Sequence, residues 1–555
     1  MNLPYEPVLR QVGTIADALG VETYAVGGAV RDALLKRKTT DIDFVSVGEG
    51  AGILLAREVA KRLGDGKATV YKSFGTAAVT LRPRADLDLA EDLHLEFVGA
   101  RRESYDRTSR KPAVEDGTLE DDQRRRDFTV NALAIALNSE RFGELVDPFG
   151  GLADLAAQRL RTPLDPIVTF DDDPLRMLRA ARFSAQLRFE IVPEALEAMR
   201  DRASRIEIVS TERITDELQK MIATRRPSVG FATLFETGVL EHFFPELAAL
   251  HGVEEVAGHR HKDNFYHTLE VLDNLAEAQR SAGVSPDARH AADDEEGSLT
   301  RETRAHYLRL SALLHDIAKP LTKRFVSGSG WTFHGHEDRG ARMIPDLFRS
   351  LTLPLDERMK YTQLMVRLHH RPVSLVDDEV TDSAVRRLLF DAGDAIEDLM
   401  MLVRADITSK NPRRVRRYLS AFDRVEEKFA EVEQKDRLRA WQPPVDGTEL
   451  MEILGVKEGV AVGIAKEWIR EAILDGEIPN ENAAARAFAE ARKNDALRRE
   501  RLFNLAVRAL GRERRAGIGA IKEAVFWDDL PEDDDEALTR LLHADEQSAG
   551  DGADD

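Results

Sequence analysis

Residues 24–44, YAVGGAVRDALLKRKTTDIDF, constrain the fold of this chain more than any other stretch. A short apolar run ends at Gly27 and Gly28, helix-forming residues follow, and a second strand-like run carries Asp41 and Asp43. Two glycines at a strand-to-helix turn let backbone N–H groups approach a phosphate closely, and a helix N-terminus favours an anion. The order of strand, glycine turn, helix and strand therefore predicts an α/β unit with a phosphate cradle.

The two aspartates add a second constraint. Positions i and i+2 of a strand point to the same face, so the carboxylates of Asp41 and Asp43 project into one site. Carboxylates beside a phosphate cradle suit Mg²⁺, which prefers oxygen ligands and completes its shell with substrate phosphates. Taken separately, the two glycines could form an ordinary turn and the two aspartates could lie on a solvated strand. The glycine turn and the aspartate pair together, at this spacing, favour nucleotidyl transfer.

Four further motifs follow in order, namely RRRDFTVNALA (124–134), DPFGGLADL (147–155), DDPLRMLRAARF (172–183) and ERITDELQKM (212–221). Together with the first segment they resemble the polymerase-beta-like nucleotidyltransferases, and more narrowly the bacterial CCA-adding tRNA nucleotidyltransferase and poly(A) polymerase family. The resemblance implies magnesium-dependent transfer from CTP and ATP to the acceptor end of tRNA. It leaves open an A-adding or CC-adding specialist, a poly(A) polymerase, or an inactive RNA-binding and nucleotide-binding regulator.

The resemblance also implies roles for single residues near the glycine turn. Asp41 and Asp43 become the magnesium ligands, and Glu96 in HLEFVGA becomes the third carboxylate, unless it is an ordinary strand-face glutamate. Gly27 and Gly28 hold the triphosphate together with Arg31, for which the alternative is a solvated neighbour of Asp32.

Two later motifs supply the other nucleotide-binding candidates. Arg126, Asp127 and Asn131 stand at the start of a predicted helix, where Asp127 and Asn131 share a face near the nucleotide sugar, or Asp127 merely caps it. Asp173, Arg176 and Arg179 form one helix stripe, which a capped helix also explains. The resemblance implies that Asp173 and Arg176 read the base edge of C or A and that Arg179 serves phosphate. The role of Asp172, where the family usually has glutamate, stays open. The polar stretch 104–112 is predicted to be a mobile loop near the site, and in the family such a loop takes part in the switch from C to A addition.

A second constellation of metal-binding residue types lies downstream and comprises His267, His315, Asp316, His336, His370 and Asp406. This ordered set resembles the HD phosphohydrolase superfamily, although each histidine alone suits a packed helix. Nitrogen ligands favour manganese, nickel, cobalt or iron over magnesium. Lys319 and Lys323 are candidates for phosphate binding or simply exposed lysines.

The predicted fold class is α+β and mostly helical. It comprises a nucleotidyltransferase head (20–155), an all-α neck (160–250), an HD domain (259–410), a helical tRNA-binding region (411–510) and an acidic, disordered tail (511–555). The absence of cysteine and of any apolar run near ~18 residues predicts a cytoplasmic protein without a membrane partner.

The net charge of −21 argues at first against RNA binding. Arginine is nevertheless dense at 101–126 and 176–188, whereas acid concentrates at 286–297 and from 527 onward. The chain is therefore expected to carry a local basic path for RNA phosphate. A high-salt habitat is the other explanation of its acidity.

Overall fold

The computed structural model describes residues 4–71, 75–104, 113–256, 259–260, 262–286, 298–328, 330–376, 381–409, 411–436, 444–509, 518–527 and 529–550. Most of the predicted mobile loop 104–112 lies outside these residues. The chain forms two compact units, one running to His369 and including Met401–Thr408, the other comprising His370–Met400 and the residues from Ser409. The described residues include no helix long and apolar enough to cross a bilayer.

The N-terminal part of the first unit is built around a mixed sheet. Its elements are α1 (Glu6–Leu19), β1 (Thr23–Val26), α2 (Gly28–Leu34), β2 (Asp41–Ser46), α3 (Ala51–Arg62), β3 (Thr69–Tyr71), β4 (Thr76–Leu81), β5 (Leu93–Gly99), β6 (Arg101–Ser104), β7 (Ala113–Asp116), α4 (Leu119–Arg124), β8 (Ala134–Ala136), β9 (Leu145–Val146) and α5 (Gly151–Ala156). Seven strands pair in the order β3-β4-β5-β2-β1-β8-β9. The predicted strand, glycine turn, helix and strand are confirmed.

One face of this sheet is the core, because apolar residues alternate along its central strands. Ile42 and Phe44 of β2 are buried with Leu95 and Phe97 of β5, and the two phenylalanine rings stack at 4.7 Å. Buried residues of α1 and α3 belong to the same core. The intervening residues lie on the opposite face, which is open at Asp41, Asp43 and Glu96, whereas Val45 packs there in a second, smaller core with Tyr24 and Val26 of β1.

Helices make up most of the rest of the first unit. They are α6 (Pro166–Asp172), α7 (Leu175–Leu187), α8 (Pro193–Arg202), α9 (Thr211–Ile222), α10 (Pro227–Glu236), α11 (Pro245–Ala248), α12 (Asn264–Ser281), α13 (Arg301–Leu314), α14 (Lys319–Thr322), α15 (His336–Ser350) and α16 (Glu357–Leu368), with short strands β10 (Arg159–Leu160), β11 (Glu190–Ile191), β12 (Glu255–Val256), β13 (His259–Arg260), β14 (Arg324–Val326) and β15 (Gly330–Thr332). The predicted change from mixed to helical structure is confirmed.

The second unit is helical and contains α17 (Arg371–Ser374), α18 (Asp382–Ala392), α20 (Pro412–Asp436), α21 (Gly447–Leu454), α22 (Val460–Leu474), α23 (Asn482–Ala509), α24 (Ile518–Trp527) and α25 (Asp534–Gly550). The residues of α19 (Ile396–Ala405) are divided between the two units. The predicted disorder of 511–555 is wrong for α24 and α25. Ile521, Val525, Ala537 and Leu541 are buried in one core with α22 and α23, which outweighs the acidic composition.

Candidate active site and metal centre

Three of the predicted carboxylates meet on the open face of the sheet. Strands β2 and β5 run parallel, and their register places Asp43 opposite Glu96 and Asp41 opposite His94. Asp41 and Glu96 are exposed, and Asp43 is half-buried. Because partners in register point to the same side, the structure brings Glu96 beside the Asp-Ile-Asp pair, where the sequence placed a third carboxylate.

The electrostatics of this cluster favour a bound cation. Burial and the charge of Asp41 raise the pKa of Asp43 against the opposing effect of Arg126. Burial followed by the charges of Asp43 and Asp41 raises the pKa of Glu96. Like charges held this close disfavour ionisation, and a divalent cation among them relieves that repulsion. The oxygen-only donor set fits Mg²⁺.

The glycine turn lies directly beside the carboxylates. Gly27 has φ +74°, and a Cβ there would lie 2.8 Å from Nη1 of Arg126 and 3.5 Å from an oxygen of Asp43. The Gly27 N–H donates to the Leu133 carbonyl at 3.2 Å, so the N–H groups offered to an anion begin with α2 at Gly28. Glycine is favoured here because φ +74° is a backbone conformation that L side chains rarely adopt, and a side chain would also displace the Arg126 guanidinium.

A chain of ion pairs and hydrogen bonds runs from α2 to α9. Arg31 pairs with Asp32 and donates to Oδ1 of Asn131 at 2.6 Å, and Asn131 donates to Oδ1 of Asp127 at 3.0 Å. Arg179 donates from Nε to Oδ2 of Asp127 at 2.8 Å. The predicted pairing of Asp127 with Asn131 is thus observed, but Thr129–Asn131 form a 3-10 turn before β8, not the start of an α-helix.

The far end of this chain lies in α9. Glu217 is buried, accepts from Nε of Arg182 at 2.5 Å and lies 3.5 Å from Nη1 of Arg179. Burial raises the pKa of Asp127, but the charge and hydrogen bond of Arg179, the hydrogen bond from Asn131 and the charge of Arg176 together lower it to about 2. Asp127 therefore stays ionised at neutral pH, which holds the guanidinium of Arg179 in place.

The predicted base-reading pair is engaged with the protein. Arg176 is buried and donates to the carbonyls of Arg125 at 2.5 Å and Thr169 at 3.2 Å. Asp173 accepts from the N–H of Leu175 at 3.2 Å and from Arg213 at 2.8 Å. The contact with Leu175 is the local turn that the capped-helix alternative expected. The carbonyl contacts fix the Arg176 guanidinium at the start of α7.

A second constellation lies at the ends of α12, α13, α15, α16 and α19. Nε2 of His267 is 2.9 Å from Oδ1 of Asp406, and Nε2 of His315 is 3.3 Å from Oδ2 of Asp316. Nε2 of His336 lies 3.3 Å from Oδ1 of Asp316. Five of the six predicted residues of the HD constellation therefore converge.

The correction concerns His370, which is exposed, while its neighbour His369 is buried in the cluster. Nε2 of His369 lies 3.3 Å from Nε2 of His336 and 3.9 Å from Oδ1 of Asp316. At this helix end the two side chains point about 100° apart, and that of His369 is directed into the cluster while that of His370 is exposed. His369 takes the place that the sequence assigned to His370.

The imidazoles are oriented as metal ligands. Nδ1 of His315, His336 and His369 bonds the backbone carbonyls of Ala312, Phe333 and Val366 at 2.8, 2.8 and 2.7 Å, and Nδ1 of His267 contacts Oγ1 of Thr408 at 2.9 Å. Each Nε2 is thereby left to face the carboxylates.

Ligand atoms of two overlapping groups, His267-His315-Asp406 and His315-Asp316-His369, each lie within 4.8 Å of one another. Nε2 of His315 and Oδ1 of Asp316 are buried without a hydrogen bond to the described protein. Burial and the charge of His315 lower the pKa of His369 to about 3, which keeps its lone pair available. The residues fit a divalent transition metal.

Two buried carboxylates that hold arginine side chains in place were not among the residues predicted from the sequence. Buried Asp122 holds both Arg125 and Arg126, and buried Glu217 holds Arg182. Asp122 lies four residues before Arg126, a helical spacing that signals an ion pair. Glu217 lies within a recognised motif, but only the packing of α9 against α7 reveals its partners.

Replacing Asp43 by asparagine tests the cation site without an activity assay. Because the folded pKa of Asp43 is raised, its ionised form opposes folding above that pKa, and this cost disappears in acid. Asp43→Asn should therefore keep or raise the metal-free Tm at pH 7, yet lose most of the Tm increase that millimolar Mg²⁺ gives the parent protein. Glu58→Gln on α3 should retain the Mg²⁺ effect. An equal Mg²⁺ shift in the Asp43→Asn variant would contradict the site.

The adjacent histidines offer a matched pair for the second centre. His369→Ala should lose most of the manganese or nickel retained after purification, because it removes a buried ligand, whereas His370→Ala should keep it. Elemental analysis measures the metal, and circular dichroism checks that both variants are folded. The reverse pattern would restore His370 as the ligand.

Family models match most of the first unit. A Poly A polymerase head domain matches residues 23–161, a probable RNA and SrmB-binding site of polymerase A matches 188–250, and an HD domain matches 264–399. The last match includes the metal centre up to His369. The first contains the three carboxylates and the glycine turn.

Curated relatives and a solved structure agree with these matches. A Multifunctional CCA protein of Ralstonia nicotianae is 33% identical over 385 residues, covering 66% of this chain and 76% of the relative. An A-adding tRNA nucleotidyltransferase of Deinococcus radiodurans is 31% identical over 482 residues, covering 84% and 94%. An apo CCA-adding enzyme shares the fold with a TM-score of 0.55 at 22% identity, covering 87% of this chain and 92% of that one. The chain therefore belongs to the family of CCA-adding tRNA nucleotidyltransferases and poly(A) polymerases, as a nucleotidyltransferase with an HD domain.

Proposed function

We propose that this protein adds C, C and A to the 3′ end of tRNA from CTP and ATP, without a nucleic-acid template. The observation that carries the proposal is the open sheet face, where Asp41, Asp43 and Glu96 meet beside the turn at Gly27. The Ralstonia relative, named a Multifunctional CCA protein, supports the complete reaction.

The reaction forms a bond from the tRNA 3′-oxygen to the α-phosphorus of the nucleotide. The bond from that phosphorus to the β-phosphate oxygen breaks, and pyrophosphate leaves. Magnesium bound by Asp41 and Asp43 would supply positive charge to the entering and leaving oxygens. Glu96, with its raised pKa, is the carboxylate we assign to receive the proton of the 3′-hydroxyl.

We assign the triphosphate of the nucleotide to the glycine turn at Gly27 and to the neighbouring guanidinium of Arg126. Arg126 lies against Gly27, and its charge is oriented by buried Asp122, which accepts from Nη2 at 2.9 Å. Arg31 is buried and donates to Asn131, so we assign it to positioning that amide near the nucleotide sugar more than to binding phosphate. The first turn of α2, from Gly28, contributes N–H groups.

The base is assigned to the start of α7. A carboxylate at Asp173 accepts from the exocyclic amine that C and A share, and a guanidinium at Arg176 donates to ring acceptors. The carbonyl contacts of Arg176 support this role, because a guanidinium held in one orientation discriminates between base edges. Arg179, paired with Asp127, lies next along the helix and is assigned to phosphate.

An A-adding specialist is the second candidate. The Deinococcus relative, named an A-adding tRNA nucleotidyltransferase, is covered over 94% of its length, more than the Ralstonia relative at 76%. The carboxylate face serves both reactions equally, as it does CC addition and poly(A) synthesis. Only the products formed on an RNA substrate therefore distinguish these candidate activities.

For the second centre we propose metal-dependent phosphoester hydrolysis. Its four histidines and two aspartates fit manganese, nickel, cobalt or iron, which activate water at such sites. Lys319 donates to Oδ2 of Asp316 at 2.6 Å and so lies at the centre, within reach of a substrate phosphate. This chemistry needs neither Asp41 nor Asp43.

The products formed on tRNA lacking its last three nucleotides test the proposal. With CTP and ATP together, gel analysis should show three additions, with CTP alone two, and Asp43→Ala should show none because it removes a magnesium ligand. Arg176→Ala should admit GTP or UTP while tRNA binding persists. A protein that extends only tRNA already ending in CC would be the A-adding specialist, and one that extends neither substrate would be the regulator.

A further inference from the structure

We infer that the second centre binds the terminal phosphate of a single-stranded oligonucleotide, and that the hairpin of β14 and β15 holds the two nucleotides next to that phosphate. The inference rests on the hydrolysis proposed above for this centre, because it names the substrate class. Lys319 and Phe333 are assigned to the terminal nucleotide, and Lys323 and Trp331 are assigned to its neighbour.

The hairpin is joined to the metal centre by two contacts. Lys319 donates to Oδ2 of Asp316 at 2.6 Å, and its Nζ lies 5.6 Å from the centroid of the Phe333 ring. Nδ1 of His336 bonds the backbone carbonyl of the same Phe333 at 2.8 Å. A phosphate bound at the centre therefore has an ammonium group and an aromatic ring beside it.

The same combination is repeated along the hairpin. Lys323 directly follows α14, four residues after Lys319, and its Nζ lies 4.6 Å from the centroid of the Trp331 ring. Four helical residues advance about 6 Å and two strand residues about 7 Å, so the two lysines and the two rings are separated by similar distances. An oligonucleotide with its terminal phosphate at Lys319 can therefore place its next phosphate at Lys323.

The aromatic rings lie on one face of the hairpin. Cross-strand register pairs Phe325 with Trp331, and their rings meet edge to face with centroids 5.4 Å apart. Phe333 lies two residues beyond Trp331, which returns it to the same side of an extended chain. Trp331 and Phe333 are both partly exposed. Aromatic rings in series beside positive charge are the pattern that binds single-stranded nucleic acid.

The lysines are held in place and are not free surface groups. The side chains of Lys319 and Lys323 are 19% and 18% exposed, respectively. Lys323 also pairs with Glu254 at 2.7 Å, but that carboxylate is 63% exposed, so water screens the pair and a phosphate can replace it. Cation–π contacts that only fasten the hairpin to α14 are the competing explanation. That explanation predicts no dependence of binding on the length of the substrate.

The reaction assigned to this substrate is the hydrolysis of a phosphate monoester. The oxygen of a water molecule forms a bond to phosphorus, and the bond from phosphorus to the nucleoside oxygen breaks. Orthophosphate leaves, and the nucleoside oxygen becomes a hydroxyl by taking a proton that the water gives up. Lys319, as a fixed positive charge at the centre, orients the phosphate.

Steady-state kinetics on dinucleotides and mononucleotides test the hairpin, with each length phosphorylated at either the 3′ or the 5′ end. Trp331→Ala should raise KM for one of the two dinucleotides about 10-fold, because a stacked base is lost. KM for the matching mononucleotide should change by less than about twofold, because it does not reach Trp331. Lys323→Ala should show the same selectivity for the dinucleotide. Trp331→Phe, which keeps a ring, should restore the KM of the parent protein.

A matched control removes a lysine that also pairs with a glutamate. Lys360→Ala breaks the pair with Glu357 at the start of α16, the end away from His369, and should leave KM for every substrate unchanged. Elemental analysis and circular dichroism check that each variant keeps its metal and its fold. An equal rise in KM for mononucleotide and dinucleotide in Trp331→Ala, or no rise for either dinucleotide, would overturn the inference.

Tryptophan fluorescence supplies a readout that does not require catalysis. A dinucleotide whose terminal phosphate is replaced by a non-hydrolysable phosphonate should quench the fluorescence of the metal-loaded parent protein. Trp331→Phe should still bind this dinucleotide in equilibrium dialysis but lose the quench, although three of the four tryptophans remain. The same quench in Trp331→Phe would contradict stacking on Trp331. A parent protein that shows the quench and hydrolyses none of the substrates would defeat the proposed hydrolysis, while the oligonucleotide would still be located on the hairpin.

Discussion

The parallel pairing of β2 with β5 is the constraint on which the transferase site depends. It places Phe44 beside Phe97 in the core, and the same register places Asp43 beside Glu96 on the opposite face. A slip of one residue would bury the carboxylates and expose the phenylalanines, so core packing and site geometry are specified together. Packing on the apolar face of the sheet therefore fixes the positions of the carboxylates on the other face.

A second constraint comes from alternating charges that link the head to the helices beyond it. Asp127 connects Asn131 in the head to Arg179 of α7, and Glu217 of α9 connects Arg179 to Arg182. Removing one partner of such a buried network leaves an uncompensated charge, which is more costly than the loss of the contact alone. The helices that we assign to base selection are therefore held in register with the catalytic sheet.

The parts of the fold that follow from local periodicity could be predicted. The glycine turn, the common face of Asp41 and Asp43 and the proximity of Asp127 to Asn131 all follow from spacing. The choice between His369 and His370 could not, because adjacent residues at a helix end differ only in direction. The helical state of 534–550 was also missed, because Ala537 and Leu541 gain their burial from distant helices. Glu217 could not be predicted either, because its partners Arg179 and Arg182 lie on a different helix.

We assign the catalytic metal of the transferase site to Asp41 and Asp43, beside the glycine turn. Anomalous diffraction from crystals grown with Mn²⁺ and a non-hydrolysable CTP analogue tests it most directly. We expect manganese within bonding distance of both carboxylates, with the triphosphate reaching toward Gly28 and Arg126. Manganese found only at the histidine centre, with the nucleotide bound and Asp41 and Asp43 free of metal, would contradict it.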